Sequence, residues 1–458
     1  MVSVHSSYTV VPSEATPNGK LYSLCEQIKL RAHAPQLFVY EPISNHNVSI
    51  QTLITSLGKA LVTYYPFAGR LCWIGGARWV LDCNAKGAQI LEASCQAKLE
   101  DFGDFVPTGV VEQLIPTVDY GPPIQEVPLL VVQLTRFRCG GLTIGIAFCR
   151  GVCDGTGSMR FISSWAKLAR GEALDLSEMP IHDRTPLNSR KLNRAPRFDH
   201  SEFSPPPPWL GSSGSVDTKT GVAVLKLTKV QVNKLKQKAS CDFSVNKNKA
   251  RPYTSFEVVA GHLWRCVSKA RHAGNGGQPT RLSTLANCRN RLKPPLPDGY
   301  AGNVAFPTVT HTCTFDEITY RPLGFAVWNI REALDRLTDE YVSSTLDYIE
   351  TQKDMNTVRY NFHYPAPFVR KGEEFKGNPN LFVVSWMNFS FQGADFGWGK
   401  PVYFGPGFMD SEGKAFVMNN SNGDGLILAI CLQASHMDEF KKLFYQDIDH
   451  VAFPTSRF

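Results

Sequence analysis

Leu142-Thr143-Ile144-Gly145-Ile146-Ala147-Phe148-Cys149-Arg150-Gly151-Val152-Cys153-Asp154-Gly155 changes character half-way along. Leu142, Ile144, Ile146 and Phe148 alternate, the two-residue period of a strand. The polar run from Cys149 to Gly155 ends that period. Phe161, Ile162, Trp165, Leu168 and Ala169 then follow at helical spacing until Gly171 closes the stripe. The order strand, loop, helix puts a charged side chain, Arg150, on a loop held by packed elements on both sides. Chemistry is commonly sited on such loops.

Upstream, Leu130, Val132 and Leu134 alternate in a second strand, and Cys139-Gly140-Gly141 between the two reads as a hairpin turn. Between Ser49 and Tyr64, Leu53, Ile54, Leu57, Ala60, Leu61 and Tyr64 share one helix face. Tyr65-Pro66-Phe67-Ala68-Gly69-Arg70 stops that helix at Pro66. Downstream, Pro205 to Pro208, Trp209, Leu210 and Gly211-Ser212-Ser213-Gly214-Ser215 cannot join a helix or a central strand and read as a flexible linker. The expected division is an N-terminal domain over 1–179, a crossover over 180–221 and a C-terminal domain over 222–458. The second domain begins with a strand from Val222 to Leu227 and a helix containing Val230, Leu235 and Ala239.

At 458 residues the chain exceeds what one core usually serves, in keeping with two domains. Hydrophobic residues make up 43% and charged residues 19%, an ordinary globular balance. The net charge of +7 is mild and suits an anionic small ligand such as a phosphate-bearing coenzyme. Without a dense Lys/Arg run among aromatics, no nucleic-acid partner is expected. The opening residues lack a signal-peptide pattern, and no apolar run reaches membrane-spanning length, so no membrane association is expected. Twelve irregularly spaced cysteines make no disulfide framework, which favours a reducing cytosol. Neither a metal cluster nor a dinucleotide fingerprint is visible, so the expectation is a monomer with no metal and no bound cofactor.

Five stretches, in order, resemble the BAHD acyltransferases of plant specialised metabolism. They are Tyr64-Tyr65-Pro66-Phe67-Ala68-Gly69-Arg70-Leu71, Cys153-Asp154-Gly155, Tyr253-Thr254-Ser255-Phe256-Glu257 running on to His262-Leu263-Trp264-Arg265-Cys266, Arg291-Leu292-Lys293-Pro294-Pro295-Leu296-Pro297 with Gly302-Asn303-Val304, and Asp395-Phe396-Gly397-Trp398-Gly399. Ser7-Tyr8-Thr9-Val10-Val11-Pro12-Ser13-Glu14 and the run from Asp395 to Gly405 look most like the hydroxycinnamoyl branch, especially spermidine hydroxycinnamoyl transferases. The resemblance implies an α/β fold of two chloramphenicol-acetyltransferase-like domains, each a mixed β-sheet with flanking helices, and a channel between them. It also implies an acyl-CoA co-substrate and an amine or alcohol acceptor, with a motif histidine as general base.

Four residues before Asp154 stands Arg150, where the family motif has that histidine. A guanidinium stays protonated, has no acceptor site and cannot take a proton. Three explanations stand. Another base serves, with His33 in Arg31-Ala32-His33-Ala34-Pro35-Gln36 the first candidate. Alternatively the pocket runs a cyclisation, conjugate addition or lyase step on an alkaloid- or phenylpropanoid-like substrate, with Arg150 holding a carboxylate or stabilising an anion. Or the chain is an inactive ligand-binding relic.

Bland roles compete at each position. Arg150 pairs structurally with Asp154 or another carboxylate; Asp154 pairs with Arg289 or Arg291, as the resemblance implies. Cys149 and Cys153 flank a cation that lowers a thiol's pKa, although buried core cysteines are common. Asp395, Gly397 and Gly399 form a structural turn, with Trp398 filling volume or meeting substrate. By resemblance, Ser385 and Trp386 lie beside the acceptor, and Tyr253 and Thr254 near the thioester. His262 is a core histidine. Lys247, Lys249 and Arg251 are a solvated basic turn or a contact for coenzyme phosphates.

Overall fold

The computed structural model describes residues 2–42, 49–188, 195–211, 219–241, 251–272, 274–363, 377–420 and 423–449. The alternating strands and the helical stripes form where their spacing places them. Leu130–Phe137 and Leu142–Cys149 pair antiparallel across the Gly140 turn. The helices Ile50–Thr63 and Gly155–Ala169 pack on each other against this sheet.

Two six-stranded mixed sheets carry the fold. The first runs in the order Val2–Val10, Ala88–Cys95, Leu130–Phe137, Leu142–Cys149, His33–Tyr40, Tyr403–Gly405. The second runs Ala305–Val309, Leu282–Asn287, Leu381–Ser385, Lys414–Asn419, Gly425–Gln433, Thr220–Thr228. The helices Ser255–Arg271, Leu323–Asp335 and Ala434–Asp449 flank this second sheet. Each sheet has its own large apolar core.

The halves interlock. The expected boundary gives everything after residue 222 to the second domain, yet Tyr403–Gly405 hydrogen-bonds to His33–Tyr40 as the sixth strand of the first sheet. Trp386, Phe404, Phe416 and Met418 sit in the first sheet's core. The crossover is also tied down where it is described. The carbonyls of Ser204, Pro207 and Pro208 accept hydrogen bonds from Arg281, Asn380 and Gln278 at 2.7, 2.9 and 2.9 Å. Prolines donate no N–H bond but still offer carbonyls, so the run expected to be flexible is docked at Pro207 and Pro208. Ser212 to Ser215 lie outside the described residues.

Candidate active site

Asp154 caps the helix Gly155–Ala169, its Oδ1 accepting from the Gly157 N–H at 3.0 Å. The same carboxylate takes a bidentate pair from Arg289, at 2.7 and 3.0 Å, and the Val304 N–H at 2.8 Å. Burial works to raise its pKa, but Arg289 and the two backbone donors outweigh it and hold the carboxyl below the usual range. Of the two arginines weighed from sequence, Arg289 makes the pair. Arg291 instead donates to the carbonyls of Leu334 and Leu337. Arg289, Gly157 and Val304 thus engage both oxygens of a carboxylate whose residue borders the cavity between the two sheets.

That anchoring fixes the loop before it. The Arg150 N–H donates to the Ala32 carbonyl at 2.9 Å, and the Arg150 carbonyl accepts from Asn303 at 3.2 Å. The side chain is thereby set on the wall of a cavity of about 690 Å³ between the two sheets. Arg150, His33, Tyr120, Ser385, Trp386 and Lys414 are among its lining residues. Arg150 forms no ion pair with Asp154 or with any other carboxylate among the described residues; Tyr120 and Cys149 favour its charge, and it in turn acts on Lys29, His33 and Lys414. Burial presses its pKa down, but a guanidinium remains charged at any working pH.

His33 sits on the wall with both ring nitrogens engaged. Nε2 lies 2.9 Å from the Pro128 carbonyl, which can only accept, so Nε2 carries the proton. Nδ1 then accepts from the Tyr120 hydroxyl at 2.6 Å, while the His33 N–H donates back to that oxygen at 2.8 Å. Burial pushes the imidazole down to about 4, with Arg150 repelling a second proton. The lone pair a base would need is already occupied, so this geometry weighs against direct proton abstraction by His33.

Cys149 and Cys153 are buried core residues. Cys149 is pushed up to about 12 by burial, which outweighs the nearby Arg150 cation. Cys153 rises well above the ordinary thiol value for the same reason. Neither is an activated nucleophile.

Four more groups singled out in the sequence have these positions. Trp386 is nearly buried, stacked on Phe404 with centroids 5.2 Å apart, and shares the cavity wall with Ser385. Trp398 is not among the residues lining the cavity; it stacks on Phe396 and meets Tyr40 edge-on. Asp395 closes a turn, its Oδ1 accepting the Gly397 and Gly399 N–H groups at 2.9 and 3.1 Å. Both glycines have φ above +100°, a backbone region that disfavours side chains. Tyr253 and Thr254 are absent from the wall. Thr254 caps the helix Ser255–Arg271 in a reciprocal box with Glu257, and the Arg331 guanidinium covers the Tyr253 ring at 4.1 Å.

His262 is a core histidine, its Nε2 2.8 Å from the Phe444 carbonyl. Arg251 pairs with Glu257 and Asp335, at 2.9 and 3.0 Å. Lys247 and Lys249 lie outside the described residues. Among the described residues no cluster of His, Cys, Asp or Glu is placed to hold a metal, and no helix is long and apolar enough to cross a membrane.

Two wall residues lie outside every motif of the sequence. Tyr120 lies in an irregular stretch whose only pattern is the nearby Gly121-Pro122-Pro123. Lys414 opens an otherwise apolar strand, Lys414–Asn419. A lysine leading Ala415, Phe416 and Val417 is the cue that could have found it.

The Transferase family matches residues 1–447. Hydroxycinnamoyl-CoA:piscidic acid hydroxycinnamoyltransferase of Actaea racemosa is 43% identical, the alignment covering 98% of this chain and 100% of that protein. Shikimate O-hydroxycinnamoyltransferase of Nicotiana tabacum is 37% identical over 97% of this chain and 99% of its own. Vinorine synthase superposes with a TM-score of 0.70 at 23% identity over 96% of both chains, which speaks to the fold. With its family match across nearly the whole length and two full-length hydroxycinnamoyltransferase relatives, this chain belongs to the Transferase family of BAHD acyltransferases and is an enzyme of that class.

Proposed function

We propose that the enzyme transfers a hydroxycinnamoyl-type group from its CoA thioester to a hydroxyl or amine of an acceptor that carries a carboxylate, and that Arg150 holds the carboxylate. One observation carries this reading: a guanidinium on the cavity wall with no carboxylate partner among the described residues. Burying a cation without a counter-charge is costly, and an anionic ligand arriving beside it removes that cost. A planar guanidinium is also shaped to grip a carboxylate through two parallel bonds. The names of the two relatives above give piscidic acid and shikimate as their acceptors, both carboxylic acids. The sequence likeness to spermidine transferases points the other way, but a polyamine would bring positive charge against Arg150 and Lys414.

Release of free CoA from a hydroxycinnamoyl-CoA, measured across hydroxy acids, amino acids and their methyl esters, tests the reading. A charge-assisted pair adds about 1.5–3 kcal/mol. Acids should therefore exceed their esters by roughly 10- to 150-fold in kcat/KM. Arg150→Met should erase that preference. Equal use of acids and esters would remove the carboxylate anchor. Conversion of a CoA-free substrate with no CoA released would replace acyl transfer by a different reaction in the same cavity.

A further inference from the structure

We propose that Lys414 is the group that takes the acceptor's proton in place of the missing histidine, an inference that rests on the acyl-transfer reading above. Its first support is position: Lys414 lies on the wall of the cavity that holds Arg150, at the start of a strand that fixes its backbone. Its Nζ stands 5.1 Å from the centroid of the Phe416 ring, and no carboxylate among the described residues ion-pairs with it.

The second support is elimination along the same wall. His33 has spent its lone pair on Tyr120, and Asp154 is filled by Arg289, Gly157 and Val304. Lys29 donates to the Ala305 carbonyl at 2.8 Å. Glu412 is turned to Arg271 and Asn378, at 2.6 and 2.7 Å. Glu112 and Asp410 are exposed to solvent, and Asp410 accepts from the Ser411 hydroxyl at 3.0 Å.

The electrostatics agree with the placement. Burial in the cavity pushes the Lys414 amine down to about 7, and Arg150 adds to the push against an opposing pull from Asp410 and Cys431. Near neutral pH a substantial share of Lys414 is therefore the free amine, which has the lone pair Arg150 lacks.

The step balances without an outside reagent. As the acceptor oxygen or nitrogen bonds to the thioester carbonyl carbon, its proton passes to Lys414 Nζ. When the tetrahedral intermediate collapses, the C–S bond breaks and the ammonium returns the proton to the departing sulfur. The products are the acylated acceptor and free CoA thiol.

The test uses the whole enzyme and an acid acceptor found by CoA release. In wild type, kcat/KM should rise with pH along a limb centred near 7. Once an acceptor carboxylate neutralises Arg150, the limb in kcat should lie at or above that position. Lys414→Met should lower kcat by roughly 10²- to 10⁴-fold, leave the acceptor KM within a few-fold and flatten the limb. Small primary amines should restore part of the turnover of Lys414→Ala, which a structural role would not permit.

A Lys414→Met enzyme with unchanged kcat and a raised acceptor KM would make Lys414 a binding residue and overturn the proposal. So would a wild-type profile with no rising limb, a result that needs no variant to fold. A wild type that releases no CoA from any acyl-CoA fails the acyl-transfer reading itself. CoA release that is indifferent to Lys414 fails only the lysine.

Discussion

Asp154 shows how one short side chain fixes a loop. It caps a helix, receives both arms of Arg289 and accepts the Val304 N–H, and both members of the ion pair have side chains 6% exposed. Removing one partner of a buried pair leaves the other charge stranded, at about 3–5 kcal/mol. Asp154→Asn should lose about that much in a urea melt at neutral pH. The depressed carboxyl of Asp154 means its stabilisation is complete above the ordinary carboxyl pKa, about 4, and is lost as acid takes the pH down through the native value. The gap between wild type and Asp154→Asn should therefore narrow in acid; a gap independent of pH would contradict the ion pair. At this scale Asp154, Arg150 and the choice of Arg289 or Arg291 are legible in the sequence, because they sit inside motifs. Lys414 is not, since some 260 residues separate it from Arg150 and only the meeting of the two sheets brings them to one cavity. For Cys149 the sequence shows the neighbouring cation, whereas the depth of burial that outweighs it is visible only in the fold.

The strand Leu142–Cys149 delivers Arg150 and also holds another stretch of the cavity wall. A Cβ on Gly145 would fall 2.0 Å from the Leu114 carbonyl oxygen and 3.0 Å from the Ile115 Cα, which are backbone atoms with nowhere to go. Ile115, Pro116, Thr117 and Val118 continue from that point along the cavity. Gly145→Ala should cost about 1–3 kcal/mol as the backbone yields. It should also raise the acceptor KM, so denaturant melts and kinetics on one preparation check both effects. An Ala variant as stable as wild type would show that the segment slides freely. Period alone places this strand and the helix Gly155–Ala169, since a repeating apolar face belongs to the element itself. The docking of Pro207 and Pro208 escapes such reading because their acceptors meet donors from Asn380 and Gln278, which lie far along the chain.

Across the whole molecule, the second half lends residues to the core of the first sheet. Phe404 arrives on the crossing strand and packs against Phe38 at 4.8 Å between centroids, while the Arg359 guanidinium lies 4.0 Å from the Trp79 ring centroid. Arg359 also donates to the Gln27 and Ala77 carbonyls at 2.7 and 2.8 Å. A fragment of residues 1–221 keeps five of the six strands of its sheet and leaves His33–Tyr40 as an open apolar edge. That fragment should run as aggregates in gel filtration, and co-expression with 222–458 should recover a soluble pair. A monodisperse 1–221 would refute the interlock. The two-domain class is legible from length and motif order, whereas a three-residue strand that joins the other half's sheet gives no periodic signal.

The crossing strand has a consequence for biogenesis. The ribosome completes Cys149 about 250 residues before Tyr403–Gly405 leaves the exit tunnel. At about 5–20 residues per second, the nascent edge formed by Leu37, Phe38 and Val39 waits on the order of ten seconds to a minute for its mate. A chaperone that shields newly made chains is best placed to guard that interval, so yield in a foreign host should depend more on its supply than on the stability of the finished enzyme.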